Sequence, residues 1–116
     1  MRTIGTPSTQ ARKLNAIASG ALPNGDPLVV NADGTVSAVG GGNLTSENYI
    51  GIAKGAAADG TSAVVQTGCS INDAQSGLTA GQAYYVQTDG TLGLTAADPS
   101  VLAGTAVSAT KLIVKG

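Results

Sequence analysis

The chain has 116 residues, of which 17 are Gly and only three are aromatic, so its core must form around 25 Ile, Leu and Val side chains. A thin core predicts marginal stability and burial against a further surface, through oligomerisation or docking on a larger body. With no His, a single Cys, a net charge of -1 and five scattered cations at the chain ends, the sequence argues against Ser-His or Cys-His catalysis, zinc or copper sites and nucleic-acid binding.

The first 13 residues are predicted to form an extended arm. They are rich in Thr and Gly, and Pro7 biases Thr6 toward an extended backbone. A competing interpretation is a short helix over residues 8–19, capped by Ser8 and ended by Gly20, but we favour a strand that opens the β domain at residue 14. The side chains expected to contact a partner are Arg2, Ile4, Pro7, Arg12 and Lys13.

The β domain, residues 14–116, contains an internal repeat that relates residues 22–68 to residues 78–116. Residues 22–36 match residues 78–92 at a constant offset of 56, preserving a Leu, a Gly, a Val and an Asp-Gly-Thr triplet in order. At shorter offsets, residues 50–53 match 103–106, and residues 62–68 match 110–116. The order of the matched residues indicates two related halves.

Each half is predicted to contain a hairpin. Residues 27–31 turn at Asp33-Gly34 into residues 35–39, and residues 83–87 turn at Asp89-Gly90 into residues 91–94. Asp-Gly pairs tolerate the backbone angles of tight hairpin turns. Further strands are expected at residues 63–67 and 111–114, and turn signals recur every 8 to 12 residues. The pattern predicts an all-β fold, a small β-sandwich or barrel of two hairpin-containing halves with an extended N-terminal arm.

Other motifs are interpreted structurally. The glycines at 40–42 lack the Lys-Ser/Thr ending of a phosphate-binding loop and mark a flexible connection. The two Asp-Gly-Thr triplets resemble aspartic-protease signatures but have the wrong residue order, so we interpret them as turns. No window holds the carboxylates of a calcium loop. Cys69 has no neighbouring cation and is predicted to be a small buried side chain. We expect no enzyme, cofactor or metal.

The sequence also resembles segments common in tailed-bacteriophage virion proteins. The resemblance lies in residues 16–36, in residues 76–93, which include Tyr-Tyr-Val-Gln-Thr-Asp-Gly-Thr, and in residues 103–114. Similar sequence segments occur in small capsid decoration (cement) proteins and in repeated tail-fibre modules. The likeness covers about residues 12–116 and rests on turn chemistry and strand pattern.

Of these two groups, decoration proteins fit the length better, because 116 residues provide one body and an arm rather than a long shaft. The resemblance then implies a β-rich body, often a homotrimer, that binds between major capsid protein subunits and stabilises the shell. The expected location is the capsid surface of the virion, after synthesis in the host cytoplasm. Nucleic acid and membranes are not expected partners, since no run reaches the roughly 20 apolar residues of a membrane span. A tail-fibre or other tail component is the alternative.

Overall fold

The computed structural model describes residues 13–115. These residues form ten short strands. The described residues contain no helix. The strands are β1 (Lys13–Ile17), β2 (Pro27–Val30), β3 (Val36–Ala38), β4 (Tyr49–Ala53), β5 (Ser62–Gln66), β6 (Ile71–Asn72), β7 (Ala83–Val86), β8 (Leu92–Gly93), β9 (Leu102–Ala106) and β10 (Leu112–Val114). The predicted all-β class is confirmed.

The strands form two five-stranded antiparallel sheets with the same topology. The first sheet has the order β1-β5-β4-β2-β3, and the second has the order β6-β10-β9-β7-β8. Each strand of the first half therefore has a counterpart five positions later in the second half. In the first half, a parallel bridge also joins Ala18, the residue after β1, to Val36 of β3, so this sheet curls around its own side chains. The prediction of two related halves is confirmed.

Two hydrophobic clusters hold this architecture together. The first half encloses a cluster of small and branched side chains, centred on Leu22, Leu28 and Val65. A larger cluster combines Tyr84 and Leu112 of the second half with residues of the first, so the two sheets share one core. Ile, Leu, Val and Ala dominate both clusters, as the composition requires.

Both predicted hairpins are present. Strands β2 and β3 pair around the first Asp-Gly turn, and β7 and β8 pair around the second. The first strand of each hairpin also carries the same irregularity against its other neighbour, between Leu28 and Val29 in β2 and between Tyr84 and Tyr85 in β7. The repeat thus extends to backbone detail.

The predicted alignment of the last strands is wrong by one residue. Ala53 pairs with Val65, and its counterpart Ala106 pairs with Leu112, so Leu112 corresponds to Val65 rather than to Val64. Successive residues of a strand point to opposite faces, and a one-residue shift exchanges the two faces. Side-chain similarity could not detect the shift because apolar residues occupy both faces of these strands.

The N-terminal boundary also differs from the prediction. Strand β1 begins at Lys13, which was assigned to the arm, and pairs with β5 along its whole length. Residues 13–17 are thus strand, as favoured over the helix, because β5 offers them a complete antiparallel partner. The rest of the predicted arm lies outside the described residues.

Candidate interaction surfaces

The two Asp-Gly-Thr triplets form matching turns. Asp33 and Asp89 each accept hydrogen bonds from the hydroxyl and the amide of the Thr two positions later, at 2.6 and 3.1 Å in the first turn and 2.7 and 3.1 Å in the second. These bonds, the hydroxyl first, hold the pKa of each carboxyl below its usual value. Gly34 and Gly90 have φ angles of 87° and 90°, which favour glycine. All four residues lie in the turns that join the paired strands.

The surroundings of the two turns differ. A Cβ built on Gly34 would meet nothing within 4 Å, whereas one on Gly90 would lie 2.5 Å from the carbonyl oxygen of Val39. In the turns that precede β2 and β7, it is the first half that makes the contact. A Cβ on Gly25 would lie 2.7 Å from the carbonyl oxygen of Ala74, while a Cβ on Gly81 would meet nothing within 4 Å. The two halves therefore touch through surfaces that do not correspond in the repeat.

A buried polar network crosses the junction between the halves. The amide nitrogen of Asn72 donates to Gln66 Oε1 at 2.7 Å and to the carbonyl oxygen of Ala53 at 3.3 Å. Gln75 Nε2 donates both to Asn72 Oδ1 at 2.9 Å and to the carbonyl oxygen of Gly25 at 2.8 Å. Because Asn72 and Gln66 are buried, these bonds determine how the second half sits on the first.

Apolar contacts surround this network. Val29 and Ile52 of the first half belong to the same buried cluster as Val86 and Val114 of the second. At the cluster edge, the Tyr49 hydroxyl donates to the carbonyl oxygen of Ala103 at 3.3 Å, and burial raises the pKa of Tyr49 well above its usual value. The sequence analysis missed this junction because its repeat alignment compared the halves with each other and not with their contact surfaces.

One of the predicted contact residues lies within the described part of the chain. Lys13 is exposed in β1, whereas Arg2, Ile4, Pro7 and Arg12 lie outside the described residues. A cleft of about 380 Å³ opens beside Lys13 and is lined by Lys13, Asn15, Lys54 and Val64. Two ammonium groups and an amide beside a half-buried valine can receive a carboxylate-bearing partner.

A second cleft, of about 270 Å³, lies on the second sheet. Its lining residues are Cys69, Leu102, Gly104, Thr105, Ile113, Val114 and Lys115. Cys69 is exposed and free, so the prediction that it is buried is wrong. The reason is local, since Cys69 lies outside the strands, in the tight connection between β5 and β6, with a φ of 69°.

Several large apolar side chains are exposed despite the small supply of such residues. Those at or above 37% exposure are Leu14, Ile17, Val30, Ile71, Leu94, Val107 and Ile113. Among residues 13–115 there is no group of three or more His, Cys, Asp or Glu side chains that could hold a metal ion. The described surface offers apolar contact rather than a cluster of reactive groups.

No helix within the described residues is long and apolar enough to cross a membrane. No protein-family model matches the chain, and no curated protein matches it in sequence.

Proposed function

We propose that this protein decorates a bacteriophage capsid and stabilises it by binding between major capsid protein subunits. The observation that carries the proposal is the exposure of β1, the strand that directly follows the predicted arm. Four of its five residues are exposed, and Ile17, which is 48% exposed, lies on the same face of the strand as Lys13 and Asn15. A strand that keeps large apolar side chains in solvent, in a chain with few of them, is typical of a binding surface.

The charge around β1 supports the same proposal. Lys13 and Lys54 line the cleft beside the strand, and Arg2 and Arg12 precede it in sequence. The arm and β1 would together form one basic and apolar surface that binds an acidic region of the shell. Ligands that bind only the assembled shell lower its free energy, which is how a decoration protein stabilises it without catalysis.

Self-association completes the proposal. Three copies held together would bind a shell with an avidity that a single copy lacks, and a homotrimer matches the resemblance to decoration proteins. The thin core supports this step, because many of the branched aliphatic side chains that could strengthen it are instead exposed.

Deletion of residues 2–9 tests the role of the arm. We expect the shortened protein to keep its β-sheet circular dichroism and to lose most of its binding to purified shells in a co-sedimentation assay. A control chain in which a Gly-Ser segment of equal length replaces residues 2–9 should bind as poorly as the deletion. Undiminished occupancy on shells after the deletion would show that the arm is not a binding element.

A tail component is the second candidate, and the tandem arrangement of two modules with the same topology favours it, since fibres are built from repeated modules. Electron microscopy of particles labelled for this protein separates the two candidates. Label over the whole head supports decoration, and label at the tail supports the alternative.

A further inference from the structure

The two halves contact each other head to tail. The first half contributes a surface that we call face A, formed by Val29, Tyr49, Ile52 and Gln66. The second half contributes a different surface, face B, formed by Asn72, Val86, Ala103 and Val114. Because faces A and B come from different parts of the repeat, the contact lacks two-fold symmetry. Each half is therefore left with one face that its partner does not cover.

Strand pairing identifies the counterparts of these faces. Leu28 pairs with Gly51 as Tyr84 pairs with Gly104, and Ala53 pairs with Val65 as Ala106 pairs with Leu112. In the second half, the counterparts of face A are Tyr85, Leu102, Thr105 and Ile113, which we call face A′. In the first half, the counterparts of face B are Leu14, Val30, Ile50 and Thr67, which we call face B′.

Both counterpart faces are partly open to solvent, with Ile50, Thr67, Tyr85 and Leu102 half-buried and the other four residues exposed. On face A′, Thr105 is exposed, Ile113 is 38% exposed, and Leu102 lines the second cleft with both of them. On face B′, Leu14 and Val30 are 39% and 37% exposed. Leu14, Val30 and Ile113 are thus exposed. Their counterparts, Asn72, Val86 and Gln66, are buried at the junction between the halves.

The two free faces also match each other in polarity. At the internal junction, polar Asn72 lies against polar Gln66. Their counterparts are Leu14 and Ile113, both apolar. Both members of the pair are changed together, so a contact between B′ and A′ would place apolar Leu14 against apolar Ile113, where the internal junction pairs Asn72 with Gln66.

We propose that a second copy of this chain docks its face B′ onto face A′ of the first copy, repeating the internal contact between molecules. Such a contact is heterologous, so it continues from copy to copy until it closes into a ring or extends as a filament. This inference deepens the self-association in the proposed function but does not depend on the capsid as a partner.

Two blocking variants and a matched control test the docking. Leu14→Lys blocks face B′ and Ile113→Lys blocks face A′, whereas Val107→Lys changes an exposed residue whose counterpart, Lys54, is itself an exposed lysine outside both faces. By light scattering on the purified protein, we expect the wild type and Val107→Lys to form oligomers. Each blocking variant alone should have the 11.2 kDa mass of one chain.

An equal mixture of the two blocking variants tests whether the contact between copies is head to tail. It contains one intact combination, Leu14 of one variant with Ile113 of the other, so we expect dimers and nothing larger. A mixture that stays monomeric, a monomeric wild type, or a Leu14→Lys protein with unchanged mass would overturn the proposal.

Folding and shell binding are scored separately. Thermal melting monitored by circular dichroism should show the wild-type transition in all variants, and Leu14→Asn, which installs the residue found at the counterpart position, replaces Leu14→Lys if the lysine variant unfolds. Since no shells are present in this assay, failure of docking is distinct from failure of the arm deletion.

Discussion

Removal of the Asn72 side chain tests whether the polar network holds the two halves together. Asn72→Ala deletes two donated bonds, to Gln66 and Ala53, and two accepted bonds, from the amide of Ala74 at 3.0 Å and from Gln75. At about 1 kcal/mol of net stability per hydrogen bond, the four bonds sum to about 4 kcal/mol. The bond to Ala53 is long, and Gln75 is half-buried and can turn to water, so we expect a loss of about 3 kcal/mol.

That loss is large for a domain whose total stability is about 5 to 15 kcal/mol, and it corresponds to a fall in melting temperature of more than about 10 °C. Urea unfolding followed by circular dichroism measures it. Asn15→Ala is the control, because Asn15 is exposed and its side chain makes no hydrogen bond to another described residue. A free energy of unfolding within about 1 kcal/mol of wild type for Asn72→Ala would refute the reasoning.

A double variant separates the loss of the bonds from the loss of packing. Asn72→Leu alone leaves the buried Gln66 Oε1 without its donor, so we expect a loss as large as that of Asn72→Ala. Adding Gln66→Ile places at both positions the apolar residue types of their counterparts, Leu14 and Ile113. It removes the unpaired Gln66 oxygen at the loss of the bond from Gln66 to the carbonyl oxygen of Ile71, so we expect it to recover part of the lost stability. No recovery would contradict the view that an apolar pair can replace the polar one at this junction.

Three further predictions concern single residues. Gly104→Ala places a Cβ against the carbonyl oxygen of Ile113, so we expect a loss of about 3 kcal/mol in urea unfolding, whereas Gly40→Ala, in open space, should change little; equal effects would contradict the close approach. Burial raises the pKa of Tyr49, so its contribution to stability is present below the usual tyrosine pKa of about 10 and is lost as pH rises above it. Subtracting the ultraviolet titration curve of Tyr49→Phe from that of the wild type isolates the ionisation of Tyr49. We expect this ionisation at a higher pH than that of an exposed tyrosine, and ionisation at the usual pH would argue against burial. Cys69 should react with a thiol reagent in the folded protein, and protection until unfolding would contradict its exposure.

The sequence alone was sufficient to predict the hairpins and the repeat. An Asp-Gly turn joins residues that are close in the chain, and the bonds from Thr to Asp33 and Asp89 span two residues. Hydrogen bonds between residues this close in the chain can be predicted directly from the sequence. The preference for strand over helix at residues 14–17 was also correct, and the order of matched residues was enough to show two related halves.

Tertiary structure decided the features that depend on distant neighbours. The pairing of β10 with β9 determines which face Leu112 occupies, and no local pattern could reveal the shift of one residue. Cys69 is exposed because of its backbone angle in a turn, and Lys13 belongs to the sheet because β5 pairs with it. The head-to-tail junction joins Gln66, Asn72 and Tyr49 with residues of the opposite half, so it exists only once both halves have folded. Composition establishes that this protein has a small core, but which side chains that core leaves exposed depends on how the two sheets pack.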